Sequence, residues 1–235
     1  MPRRESDRRK PRRGFRSRSS QDLSSAPRAK SDPRSSRFVL YVEGARDREL
    51  LQCWARRVDG ELGRCIEQSA VILGGRQPAR AVADFRKRGG AEAGLSGLVV
   101  LDRDHHDEAP SPPEESGLDL FVWSLRHIES YVLVPAAIRR LLRLDADDRR
   151  IERFFEEHVA HSVHAKRVLG AGGSLSEMLG AELRASEIAR AMRMDELHGD
   201  IHDLFREIGT RVGLPSRHPE VIVRPGASSP GRGRL

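Results

Sequence analysis

The stretch FVLYVEGARDRELLQCWARR, Phe38 to Arg57, opens with five apolar or aromatic residues in a row and then sets a lone glutamate, Glu43, before a glycine. The run from Phe38 to Val42 has the length and composition of a buried strand. From residue 45 the period changes, and Leu50, Leu51, Trp54 and Val58 fall on one face of an amphipathic helix. Strand, glycine turn and helix in this order begin a βαβ unit. The stretch also raises a chemical question. A carboxylate stands where a buried strand ends, and a second, Asp47, follows four residues later.

Outward from this stretch the pattern alternates. SAVILGG (69–75) reads as a second strand ending in two glycines, RQPARAVADFRKRG (76–89) as a helix, and GLVVLDRD (97–104) as a third strand. The acidic, proline-rich HHDEAPSPPEESG is a loop, and LDLFVWSL (118–125) a fourth strand. Strands spaced by helices of this length predict a parallel sheet. From His127 onward the reading is helical: HIESYVLVPAAIRRLLRL, DDRRIERFFEEHVAHSVHAKRVL, SLSEMLGAELRASEIARAM and ELHGDIHDLFREIGTRV. No internal repeat is visible. The expected fold class is α/β, a Rossmann-like parallel sheet of about four strands flanked by helices, with an all-helical C-terminal extension. The expected boundaries are a tail at 1–36, the α/β domain at 37–140, the helical extension at 141–220 and a flexible tail at 221–235.

The chain has 235 residues and a formal net charge of +7. Residues 1–36 hold 12 Lys+Arg against 4 Asp+Glu, a net of +8, so the rest carries 30 against 31, a net of −1. The basicity therefore belongs to the tail, and charge alone does not mark the remainder as a nucleic-acid binder. Those 36 residues hold nine serines, four prolines and one aromatic side chain, too little apolar area to offset chain entropy. They read as a disordered arm that either is incidental or binds phosphates non-specifically by counterion release. On the second reading, deleting residues 1–36 weakens binding to long duplex DNA and flattens its salt dependence. Turnover of short oligonucleotides stays largely unchanged. A salt titration of full-length and truncated protein checks this, and an unchanged slope makes the arm irrelevant to binding. No apolar run has the length of a membrane span, and no apolar segment of the signal-peptide kind follows the first arginines. Cys53 and Cys65 lack metal-type spacing and read as reduced core thiols, so the expected location is cytoplasmic.

Ligand sites of open parallel sheets form at the carboxyl ends of the strands. Three strand ends here carry informative residues: Glu43 with Gly44, Gly74 with Gly75, and Asp102 with Asp104. Residues i and i+2 of an extended chain share a side, so Asp102 and Asp104 face one site with Arg103 turned away. Carboxylates converging without a cation repel one another, and a hard divalent ion such as Mg²⁺ relieves that repulsion. Lone strand-end acids are common caps and turn residues, but three of them behind hydrophobic runs are harder to dismiss.

The pairing of YVEGARDRELL with LVVLDRD some sixty residues later resembles the Toprim domain. The Asp47 of the EGxxD form, the paired glycine of VILGGRQPARAV, the DRD spelling and LRHIESYVLVPAAI resemble its OLD (overcoming lysogenization defect) nuclease branch, over roughly residues 37–140. The resemblance implies a metal-dependent nuclease acting on DNA, with RNA as an alternative. Mg²⁺ or Mn²⁺ is expected, one or two ions per chain. Glu43, Asp102 and Asp104 are the expected catalytic ligands, with Asp47 and Glu129 completing a second metal site. Lys166 in HAKRVL is the residue expected to offset transition-state charge. Defence against phage DNA is the biological setting it suggests.

OLD proteins usually carry an N-terminal ATPase, whereas this sequence has a polar tail there and no G-x-x-x-x-G-K-[ST] loop. Either the nuclease-like part acts alone or an ATPase subunit is supplied in trans. The oligomeric state is left open, a homodimer included. The rival reading is a non-catalytic Toprim protein that binds nucleic acid or regulates such an ATPase. Primase or topoisomerase chemistry is poorly served, because Tyr41 and Tyr131 both lie in core-like patterns. The helix expected to start near Arg76, after Gly74 and Gly75, offers N–H groups and the Arg76 and Arg80 charges to a phosphate. A tight turn requiring glycine is the compatible structural role. His158, His161 and His164 lie at i, i+3 and i+6, short of the usual i, i+4 pair for zinc. His105 and His106 read as loop residues beside the DxD, and Trp54 and Trp123 as core.

Overall fold

A computed structural model of the protein describes residues 37–103, 111–145, 147–158 and 165–215, with nothing given for the side chain of Lys166. The tail at 1–36, the segment holding Asp104, His105 and His106, the residues His161 and His164, and the C-terminal tail lie outside the described residues. The described residues all belong to one compact unit, 32–235.

Strand β1 (Phe38–Val42) leads into helix α1 (Ala45–Val58), then α2 (Gly60–Ser69) and strand β2 (Ala70–Ile72). Helix α3 (Pro78–Lys87) connects to β3 (Ser96–Leu101), and β4 (Leu118–Val122) follows. All three pairings are parallel and the order is β2-β1-β3-β4, so the expected α/β class and four strands are borne out. The path runs to one side of β1 for β2 and then back across it for β3. The gap between the carboxyl ends of β1 and β3 is therefore the point where strand order reverses, the place where open α/β sheets hold ligands.

Alternation along β1 explains why every residue of it is buried. Phe38, Leu40 and Val42 join Leu98 and Val100 in a large core with Leu50, Leu51 and Trp54 of α1. Val39 and Tyr41 join Val99, Leu101, Ala81 and Phe85 in a smaller core on the opposite face, under α3. A strand covered on both faces reads as a continuous hydrophobic run, as this one does. The bond from Tyr41 Oη to Asp84 Oδ2 (2.9 Å) satisfies the hydroxyl, and burial pushes its pKa upward.

The long helical readings after His127 are shorter in the structure. HIESYVLVPAAIRRLLRL splits into a 3₁₀ turn (Ile128–Val132) and α4 (Pro135–Leu142). Proline keeps the residue before it out of the α region, and Val134 is extended at φ −108°, ψ 108°. The next stretch yields α5 (Arg150–His158) and α6 (Ala165–Val168). SLSEMLGAELRASEIARAM divides into α7 (Ser174–Leu179) and α8 (Ala185–Ala191), because Gly180 closes α7 at φ 66°. Helix α9 (Gly199–Val212) ends the described fold. Ile151, Leu175, Ile188, Leu204 and Ile208 of these helices belong to the same core as Leu40 and Trp54. Among the described residues no helix is long and apolar enough to cross a membrane.

Candidate active site

The crevice between β1 and β3 is built around Glu43. Its backbone carbonyl accepts the N–H groups of Gly74 (3.0 Å) and Gly75 (2.9 Å), tying the end of β1 to the turn after β2. Its side-chain Oε1 accepts the Asp102 N–H at 2.8 Å, tying it to the end of β3. Gly74 and Gly75 have φ of 81° and 121°, the left-handed region where a side chain is strained, so the turn itself calls for glycine.

The amides of the two glycines, which precede the helix expected to offer its N–H groups to a phosphate, serve Glu43. Helix α3 starts at Pro78, which has no N–H, rather than at Arg76. The cationic side chains are also engaged, Arg76 Nη1 with the Asp102 carbonyl and Arg80 Nη1 with the Leu73 carbonyl. Arg76 thus sits beside the crevice as a positive group that braces the end of β3.

Asp102 is 8% exposed and both carboxylate oxygens have neighbours. Oδ1 accepts the Ile128 N–H at 2.9 Å, and Oδ2 lies 3.3 Å from His127 Nδ1. Burial, the first cause, pushes the Asp102 pKa up to about 8, and the negative charges of Asp47, Glu43 and Glu129 push it the same way. The Ile128 bond opposes this without reversing it. Arg103 is exposed, as the i, i+2 argument requires, and reaches the Ser124 carbonyl at 3.3 Å.

Asp47 lies in the first turn of α1, where the helix dipole favours an acid. The Gly44 of the EGxxD form has a steric reason. A Cβ on it would stand 2.9 Å from Asp47 Oδ2, so glycine lets that carboxylate fold back toward the strand end. Glu129 is buried at 5% exposure and pairs with Arg46 Nη1 at 3.2 Å. Ile128, Tyr131 and Val132 around it are buried, as the helical period predicts. The charges of Asp47, Glu43 and Glu129 all oppose ionisation of Asp102, and Glu43 touches its main chain directly. Among the described residues no group of three or more His, Cys, Asp or Glu is placed so that it could hold a metal ion. Asp104 is not described, and Lys166 is placed only by its backbone in α6.

Two contributors escape a reading by motif: His127, and the main-chain N–H of Ile128. His127 is the extended residue that leads into the 3₁₀ turn, and no motif of the sequence pointed to it. The loop that carries them is held from outside the sheet. Asp200 Oδ2, in the first turn of α9, accepts from Ser124 N (2.9 Å), Ser124 Oγ (2.5 Å) and Tyr131 Oη. Tyr131 Oη in turn accepts the Leu125 N–H at 3.0 Å, and its ring packs on Trp123 at 4.9 Å between centroids. Of the histidine trio, His158 stacks on Phe154 at 4.6 Å.

No protein-family model matches the chain, and no curated protein matches it. Among solved structures it is similar to the C-terminal region of the Burkholderia pseudomallei OLD protein, at 17% identity and a TM-score of 0.45, covering 75% of this chain and 98% of that one. It is also similar to the C-terminal region of the Xanthomonas campestris pv. campestris OLD protein, at 16% identity and a TM-score of 0.44, covering 76% and 97%.

Proposed function

We propose that the protein is a metal-dependent nuclease of the OLD-like Toprim type, hydrolysing phosphodiester bonds in DNA, with RNA as the alternative substrate. The observation that carries this reading is the gathering of Glu43, Asp47, Asp102 and Glu129 at the switch point between β1 and β3. Burial first and the neighbouring carboxylates second raise the Asp102 pKa, and a hard divalent cation with oxygen ligands offsets both. These four carboxylates, with Asp104 from the segment after β3, are the ligands assigned to Mg²⁺ or Mn²⁺. Such an ion, when bound, polarises a phosphate oxygen and lowers the pKa of a coordinated water.

The chain's own groups do the positioning. Ile128 N–H and His127 fix the orientation of Asp102, and the Asp102 N–H fixes Glu43. Arg76 and Arg46 set positive charge at two edges of the crevice, where phosphate oxygens approach. Lys166 is assigned to the charge that builds on the phosphoryl group in the transition state. An ATPase subunit in trans is the partner the resemblance implies, and phage defence the role.

The test is incubation of purified protein with plasmid, linear DNA and RNA in Mg²⁺, Mn²⁺ or EDTA. Degradation that needs the metal supports the nuclease, and retention without cleavage supports the non-catalytic rival. The second metal site has its own check. Titration calorimetry on wild type is expected to count two ions per chain, falling to one in an Asp47→Ala/Glu129→Ala double variant. A single ion in wild type reduces the assignment to one metal.

A further inference from the structure

Two recesses lie side by side along α1. The first, about 370 Å³, is lined by Arg46 and Glu129 at the edge of the carboxylate crevice, by Arg184, and by an apolar floor that includes Leu169 and Leu183. The second, about 250 Å³, is lined by Gln52, Arg56, Arg57 and, from α8, Arg190. Glu49 lines both, so one wall runs on from the first recess to the second. From Arg46 to Arg57 this wall spans roughly 16 Å at the rise of an α-helix. That length passes several phosphates at about 3.4 Å per nucleotide of a stacked strand.

The charge changes sign along the wall. The recess beside the crevice holds three glutamates against two arginines, while the far one holds three arginines against Glu49 alone. Glu49 pairs with Arg190 at 3.2 Å. Arg57 donates to the Arg190 carbonyl and, among the described residues, pairs with no carboxylate. Gln52 Nε2 is buried without a hydrogen-bond partner, a donor that normally meets an acceptor. Arg56 is paired with Glu67 at 2.9 Å, which leaves Arg57 as the arginine of this recess that no carboxylate meets among the described residues, and Arg57 with the Gln52 donor beside it suits a phosphate oxygen. Recesses of this volume hold single nucleotides and are too small for a duplex.

We propose that the α1–α8 cleft is a track for a single strand of nucleic acid, its acidic end at the carboxylate crevice and its basic end at Arg56, Arg57 and Arg190. The direction of the track toward a reaction centre rests on the nuclease reading, and binding in it does not. The experiment uses the full chain in EDTA, so that no metal-dependent cleavage enters, with a short dye-labelled oligodeoxythymidine as probe.

Arg57→Ala/Arg190→Ala is expected to weaken binding several-fold and to lower the slope of log K against log salt by about 0.7 per lost phosphate contact. Arg56→Glu, next to Arg57 on the α1 wall, repeats the loss. Arg206→Ala, an exposed arginine of α9 paired with Asp203, leaves both readouts unchanged. A bound strand also slows modification of the half-buried Cys53, which lines the far recess, whereas Cys65 is buried. Wild-type affinity and slope in the double variant overturn the proposal, as does an equal loss in Arg206→Ala. Duplex that displaces the probe better than single strand overturns it too. Arginine-dependent binding in a protein that never cleaves leaves the track standing and removes the nuclease reading.

Discussion

Glu43→Ala and Asp102→Ala are each expected to remove the proposed metal-dependent cleavage, with a loss of about a hundredfold or more, the scale on which damaged metal shells are felt. Neither residue contributes much apolar packing. Glu43→Ala leaves the Asp102 N–H without its acceptor, at a cost of about 1–3 kcal/mol, within the stability of an ordinary domain. Asp102→Ala leaves the Ile128 N–H unmet and, at alkaline pH, removes a charge that its neighbours repel. Turnover measured beside circular dichroism separates lost chemistry from lost fold. Near wild-type turnover in either folded variant refutes the site. Asp104→Ala is expected to be as severe, and Asp104→Asn to keep some activity because an amide oxygen still coordinates weakly.

The second large effect is on stability. Asp102→Asn is expected to make the metal-free protein more stable than wild type at alkaline pH while abolishing cleavage. In the folded state the Asp102 carboxyl keeps its proton up to about pH 8, against about 3.9 for an aspartate in an unfolded chain. Between those values the folded chain binds more protons than the unfolded one, so stability falls as pH rises. Below the lower value there is no penalty, and above the upper one it is complete, on the order of a few kcal/mol. Asparagine keeps the oxygen that accepts from Ile128 and carries no charge to repel. Melting curves in EDTA at acid and alkaline pH should therefore diverge for wild type and variant. Added Mn²⁺ should stabilise wild type more than the variant, which keeps the other carboxylates and lacks one ligand charge. Parallel curves through this range would show that Asp102 is not under charge stress.

The elements of the first half were legible because their periods are unmixed. β1 and α1 occupy the stretches read from Phe38 and Ala45, and Glu43 and Asp102 stand at the strand ends as spacing requires. Helix α2 passed unread, although Asp59 caps it by accepting from Glu61 N and Leu62 N, and Leu62, Cys65 and Ile66 form its buried face. Ten residues with two glycines give a weak pattern, and close packing decides the outcome. A Cβ on Gly63 would stand 2.5 Å from Arg56 Cγ, so α2 lies against α1 through a glycine. The breaks at Pro135 and Gly180 were written in the chain, but the apolar periods on either side ran on across them. The His127–Asp102 contact was not legible, since it joins residues 25 apart through the sheet's strand order.

The grip of Asp200 on the loop after β4 decides where this protein can be cut. One carboxylate at the start of α9 receives both donors of Ser124 and the hydroxyl of Tyr131, and the intervening chain carries His127 and Glu129 to the crevice. Helix α9 is thus a buttress of the reactive cleft, reached from the far end of the chain, rather than an appended module. A minimal fragment that ends with the sheet would keep Glu43 and Asp102 in sequence and lose the frame that aims Asp102. Any dissection of this chain for expression has to carry residues through Val212 as one piece.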